Sequence, residues 1–120
     1  MGFDITRVNM YVPQGATYGH SFFYREESDD SVIALNDFTA RLHIRTKVTS
    51  TETLYEASTD DGDGITIDGP TGEVYLEIPA ATTAGWTWTR GVYDLEIISS
   101  SGKVSRIAEG KVKVSPEVTR

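Results

Sequence analysis

The last eleven residues constrain the fold of this chain more than any other segment. Val112 and Val114 alternate with two lysines, which is the two-residue period of a β-strand with one buried face. Pro116 follows, and a proline cannot donate a hydrogen bond to a neighbouring strand. We therefore expect a strand that closes the domain near its C-terminal end.

The same alternation recurs along the chain. In residues 40–47, small or apolar side chains alternate with Arg41, His43, Arg45 and Lys47, which predicts a strand with an apolar inner and a basic outer face. Six further strands are predicted at residues 3–12, 18–25, 53–58, 65–67, 73–78 and 92–99. One short helical turn is predicted near residues 79–85.

The turns between these segments define the fold class. Gly, Pro, Asn and Asp signals recur at intervals of about eight to twelve residues, the spacing of β-sandwiches and small barrels. We therefore predict an all-β, immunoglobulin-like β-sandwich of about seven to nine short antiparallel strands, in one domain spanning residues 1–120. "Immunoglobulin-like" refers to architecture only, because the Cys–Trp–Cys core of antibody domains is absent.

Three details of this prediction are specific to single segments. In residues 3–12, Phe3, Ile5 and one of Val8 or Met10 are expected to face inward. Residues 26–31 are predicted to form a charged loop. The long strands near the C-terminus are joined by short connections, so we expect them to form a meander or Greek-key sheet.

Composition and charge exclude several classes of protein. Eighteen acidic against eleven basic residues give a net charge of −7, which repels phosphate backbones and argues against nucleic-acid binding. The absence of cysteine excludes disulfides, thiol catalysis and cysteine-based zinc sites. Neither a signal peptide nor a membrane-spanning segment is apparent, so we expect a protein made in the cytosol that does not associate with membranes.

Calcium is the first cofactor to consider, because Asp60, Asp61 and Asp63 lie within four residues. Carboxylate oxygens suit this cation. An EF-hand loop also needs a glutamate at its twelfth position, but Thr71 or Gly72 stands there. Asp-Gly pairs are strong turn signals, so we favour a turn and predict no metal site.

Catalytic signatures are not evident in the sequence. His20 and His43 lack the spacing of zinc ligands, and no serine lies in a Gly-x-Ser-x-Gly elbow. Paired carboxylates lie in predicted loops, where solvent keeps them ionised. We therefore predict a protein that is not an enzyme and uses no cofactor.

Two groups of side chains are candidates for a protein interface. Trp86 and Trp88 fall on one face of an extended segment, either packed in the core or exposed as a platform for a partner. Arg41, His43 and Arg45 form a basic row in an acidic protein. A solvated strand face is the simplest interpretation of that row, and docking to an acidic neighbouring subunit is the alternative.

Six short motifs occur in a fixed order along the chain. They lie at residues 37–45, 64–68, 72–79, 93–96, 102–106 and 110–120, and the resemblance that they carry covers about residues 13–120. The ordered set resembles the small β-sandwich proteins of siphophage and prophage tails, the group with the T5-type tail collar protein and the linkers of L-shaped tail fibres.

The resemblance implies a structural role in the virion, without catalytic residues. It implies a multi-copy collar or tail-tip subunit that forms a homo-oligomeric ring and helps to attach side tail fibres, so its partners would be other tail proteins. A carbohydrate- or calcium-binding β-sandwich module is the alternative, based on Trp86, Trp88 and the aspartate-rich loop.

Overall fold

The computed structural model describes residues 5–24, 34–60 and 63–119. Phe3 and the predicted loop at residues 26–31 lie outside them. The described residues form nine strands and one helix. In chain order these are β1 (Thr6–Arg7), β2 (Met10–Pro13), β3 (Tyr18–Phe23), β4 (Thr39–Arg45), β5 (Tyr55–Ser58), β6 (Ile65–Asp68), β7 (Glu73–Ile78), α1 (Ala80–Ala84), β8 (Arg90–Ile98) and β9 (Val104–Ser115).

The strands form two sheets. The larger sheet has the order β1-β9-β8-β4-β5, and β2 also pairs with β9. The smaller sheet has the order β3-β7-β6. Side chains from both sheets belong to one buried cluster that includes Leu42, Leu76 and Leu95, so the sheets pack as a sandwich. The prediction of an all-β sandwich is confirmed.

The alternation read from the sequence decides which side chains fill this core. In β4, Ala40, Leu42 and Ile44 are buried, and in β9, Val112 and Val114 are buried. The strands β7 and β8 alternate in the same way. Apolar burial on this scale is the main term favouring the folded state, at roughly 25 cal/mol for each Å² removed from water.

The prediction of antiparallel strands is wrong for the first two. β1 and β2 both pair parallel with β9, with Thr6 opposite Ala108 and Met10 opposite Val112. A parallel pair needs a long connection between its strands, and here that connection is nearly the whole chain. The other strand pairs are antiparallel.

The N-terminal run is also interrupted where one strand was predicted. Between β1 and β2, the Asn9 side chain accepts a hydrogen bond from the backbone N–H of Lys111 at 3.0 Å. A side-chain oxygen thus takes the place of a backbone acceptor at this step. Met10 is fully buried and Val8 packs against the core from a partly exposed position.

The expected meander or Greek-key sheet of the long C-terminal strands is found only in part, because β8 and β9 pair as antiparallel neighbours but β7 does not join them. β7 lies in the smaller sheet, whereas β8 and β9 pair in the larger one. The chain crosses between the sheets through α1, the predicted helical turn. Thr83 of α1 is fully buried; its hydroxyl accepts a hydrogen bond from Gly15 N–H at 3.0 Å and donates one to the Ala16 carbonyl at 2.9 Å.

None of the helical segments in the described part of the chain has the length and apolar character needed to cross a lipid bilayer.

Candidate functional site

The basic row predicted from the sequence lies on the outer face of β4. Arg41, His43 and Arg45 are exposed or partly exposed, because the residues between them point into the core. Lys47 lies beyond the end of the strand and is exposed. The structure therefore brings the three predicted residues Arg41, His43 and Arg45 together on one surface.

Acidic side chains from the flanking strands lie opposite two members of this row. Glu96 of β8 faces Arg41, and the Arg41 Nε to Glu96 Oε1 distance is 2.9 Å. Glu56 of β5 faces His43, with 3.8 Å between His43 Nε2 and Glu56 Oε1. The opposite charges of Arg41 and Glu96 on facing strands stabilise the sheet modestly.

A second group of charges continues the surface across β8, β9 and β1. Arg106 lies 3.6 Å from Asp94 and 3.2 Å from Glu109, measured between side-chain nitrogen and carboxylate oxygen. Arg7 contacts the other oxygen of Glu109 at 3.2 Å. Exposed ion pairs of this kind contribute at most about 1 kcal/mol each, so their arrangement matters more for recognition than for stability.

The environment of Asp94 disfavours the ionised form of its carboxyl group. Partial burial raises its pKa, and the neighbouring charge of Arg106 opposes that rise. Glu96 and Glu109 add to the rise because like charges disfavour ionisation. The acidic side chains in the middle of this surface therefore interact with one another as well as with the arginines.

Arg45 and Lys111 have no carboxylate partner within the described part of the chain. Arg45 donates a hydrogen bond to the Ser50 carbonyl at 3.1 Å, and its other terminal nitrogen lies 3.3 Å from His43 Nδ1. Both side chains line a groove with Arg41 and Arg106. We call this outer surface of the larger sheet, around Arg41, Arg45, Arg106 and Lys111, the basic face.

The tryptophan pair does not form an exposed platform. Trp86 is buried in the core at 7% exposure, and Trp88 is partly buried against it with ring centroids 4.6 Å apart. Tyr55 meets Trp86 edge to face at 5.6 Å. Trp88 Nε1 is buried and has no hydrogen-bond partner among the described residues. Of the two interpretations of these residues, core packing accounts for Trp86.

The aspartate-rich segment forms a turn in its described part. Asp63 N–H donates to the Asp60 carbonyl at 2.9 Å. Ser58 Oγ donates to the Asp63 carboxylate at 2.7 Å and accepts a hydrogen bond from Asp60 N–H at 3.1 Å. Asp61 lies outside the described residues. Within residues 5–24, 34–60 and 63–119, no three acidic or histidine side chains are grouped as a metal site.

His20 lies on the inner face of β3 with aromatic neighbours. Its ring lies 4.5 Å from that of Phe22 and stacks at 6.3 Å on Tyr18, measured between centroids. Partial burial lowers the pKa of His20 because it disfavours the imidazolium. Packing explains the position of this histidine.

Most of the basic face was not evident from the sequence. Arg7, Asp94, Arg106 and Glu109 belong to it through the pairing of β1, β8 and β9. Asp94 alternates with buried neighbours on both sides, and Arg106 and Glu109 each have one buried neighbour, so these side chains point outward. Their proximity could have been predicted from the sequence only if the pairing of β1, β8 and β9 had been known.

A scan against models of known protein families finds no match, and a search of curated proteins also finds none.

Proposed function

We propose that this chain is a non-enzymatic structural protein of a phage tail, present in several copies as a collar or tail-tip subunit that helps to attach side tail fibres. The proposal starts from the resemblance described above. The all-β sandwich that the resemblance implies agrees with the observed architecture, and many other functions also use this fold.

The basic face is the observation that carries the proposal. It extends over several strands of the larger sheet, and charged side chains from β4, β8 and β9 line its groove. A broad surface with cations that have no carboxylate partner among the described residues, such as Arg45 and Lys111, is suited to a protein partner with acidic side chains.

In this proposal, the partners are other tail proteins and further copies of the chain, and the protein is located in the virion after synthesis in the host cytoplasm. Individual contacts of charged surfaces are weak. Many copies in a ring give strong attachment, because each additional contact becomes intramolecular once the first has formed.

Deletion of the gene, followed by electron microscopy of purified tails, tests the role directly. We expect tails that lose their side fibres or the density of the collar. Tails that assemble with every side fibre in place would contradict the proposal.

Charge reversal on the basic face tests the surface. We expect Arg41→Glu combined with Arg45→Glu to reduce incorporation of the protein into tails, because both cations would become repulsive to an acidic partner. Lys103→Glu is the matched control, since it reverses an exposed charge in the β8–β9 turn. Circular dichroism of all variants checks that the fold is retained, because Arg41 and Arg45 point outward.

A further inference from the structure

Basic side chains are distributed unequally between the two sheets. All seven lysines and arginines in the described strands belong to the larger sheet, which has four acidic side chains in its strands. The smaller sheet has Asp68, Glu73 and Glu77 and neither lysine nor arginine. The strands therefore contribute a balance of +3 to one sheet and −3 to the other.

These charges point away from the core on both sides. In β7, Glu73 and Glu77 alternate with buried residues and are at least partly exposed. Asp68 at the end of β6 is also exposed. We call the outer surface of the smaller sheet, around Asp68, Glu73, Tyr75 and Glu77, the acidic face. The sandwich thus has a basic and an acidic face on opposite sides.

No cation neutralises the acidic face within the described residues. Glu73 accepts a hydrogen bond from the Ser21 hydroxyl at 2.7 Å, and Glu77 accepts one from the Tyr75 hydroxyl at 3.3 Å. The pKa of Tyr75 is raised by desolvation and by the charges of Glu77 and Glu73. The negative charges of the acidic face therefore disfavour ionisation of the Tyr75 hydroxyl on the same surface.

Each face also contains a pair of like charges directly opposite one another. Asp68 faces Glu73 across β6 and β7, and Arg90 faces Lys113 across β8 and β9. Like charges at such positions destabilise an isolated sheet. A partner of opposite charge would remove both penalties, and each face has the charge that the other needs.

We infer that copies of this chain bind one another head to tail, with the basic face of one copy on the acidic face of the next. The inference rests on the proposed multi-copy function and supplies its two contacting surfaces. A contact between different faces is heterologous, so it propagates into a ring or a filament and does not close as a twofold dimer.

The positions of the like-charged pairs agree with this geometry. β7 runs from Glu73 to Ile78, and α1 and residues 85–89 connect its end to Arg90 at the start of β8. Glu73 and Arg90 therefore lie toward opposite ends of the sandwich as well as on opposite faces. Copies that bring these pairs together are displaced along the strand direction, as in a head-to-tail array.

Charge-reversed variants of the full chain test the inference by analytical ultracentrifugation. Variant one combines Arg90→Glu with Lys113→Glu, and variant two combines Asp68→Lys with Glu73→Lys. Each keeps a like-charged pair of the opposite sign, so the repulsion within the sheet is matched to the original. Lys103→Glu is the control for a charge change outside both faces.

We expect the unmodified protein to self-associate at about 0.01 M salt, where the Debye length is about 30 Å, and to dissociate at about 1 M, where it is about 3 Å. Each variant alone should associate at least about tenfold more weakly. An equimolar mixture of the two variants should associate again, because both faces of variant one are acidic and both faces of variant two are basic. A chain with all four substitutions should also self-associate.

A monomeric unmodified protein at low salt, or a mixture of variants that stays monomeric, would overturn the inference. So would variants that self-associate as strongly as the unmodified chain. Circular dichroism separates these results from unfolding. If the copies do not associate but tails still need the gene to carry their side fibres, only the contact between copies is contradicted. If the copies associate but purified tails do not contain the protein, the proposed function is contradicted.

Discussion

The hydroxyl of Tyr93 donates a hydrogen bond to the backbone carbonyl of Val8 at 2.6 Å. Tyr93 is buried in β8, and Val8 lies between β1 and β2, 85 residues earlier in the chain. Val8 N–H in turn donates to the Glu109 carbonyl at 3.1 Å. Two hydrogen bonds therefore fix the break between β1 and β2, one from the buried Tyr93 side chain and one to the backbone of β9.

Replacement of Tyr93 by phenylalanine should lower the free energy of unfolding by about 1–3 kcal/mol. The ring still fills its position, but the Val8 carbonyl loses its donor. Urea denaturation gives the value. Tyr11→Phe is the matched control and should change stability little, because Tyr11 is 66% exposed. Equal effects of the two substitutions would contradict the role of the hydrogen bond.

The free energy of unfolding should fall as the pH rises above 10.0, the ordinary pKa of a tyrosine, because of Tyr93. Burial raises the pKa of Tyr93, and the charges of Tyr18 and Glu109 add to the rise. Above that pH the unfolded state releases a proton that the folded state retains, so unfolding becomes more favourable. Below it this contribution is fully present.

Urea denaturation at about pH 9 and about pH 11 measures this dependence. We expect the Tyr93→Phe variant to lose less stability between the two pH values than the unmodified protein. Part of the loss should remain, because burial also raises the pKa values of Tyr18 and Tyr55. An unchanged loss in the variant would show that Tyr93 does not contribute.

Replacement of Gly110 by alanine should displace the N-terminal segment from β9. A Cβ at this position would meet the Val8 carbonyl oxygen and its carbon, which are rigid backbone atoms. We expect a loss of stability of about 1–3 kcal/mol, the usual cost of overpacking. Gly85→Ala is the control, since its Cβ would make an ordinary contact with the Thr82 carbonyl. Thermal unfolding and amide hydrogen exchange of residues 6–13 report the change.

Thr83→Val should also destabilise the fold, by about 1–3 kcal/mol. The two side chains have similar shape, but the valine leaves Gly15 N–H and the Ala16 carbonyl without their hydrogen-bond partner. Thr87→Val makes the same chemical change at an exposed position and should be nearly neutral. Similar midpoints of urea denaturation for both variants would contradict the prediction.

Much of the fold could be predicted from local patterns. Leu42, Val74 and Leu95 are buried as their alternation indicates, because the two-residue period of a strand is a property of the backbone alone. The candidate residues Arg41 and Arg45 were identified for the same reason. The inward position of Trp86 does not follow from the sequence, because local alternation does not show whether a segment lies beside the core or at its edge.

The chain by itself determined which segments are extended, where they turn and which side of each meets the core. The parallel pairing of β1 and β2 with β9, the place of β7 in the smaller sheet and the hydrogen bond from Tyr93 to Val8 are visible only in the folded molecule. The physical reason is that pairing depends on contacts between residues far apart in sequence. The separation of basic and acidic side chains onto opposite faces follows from that pairing.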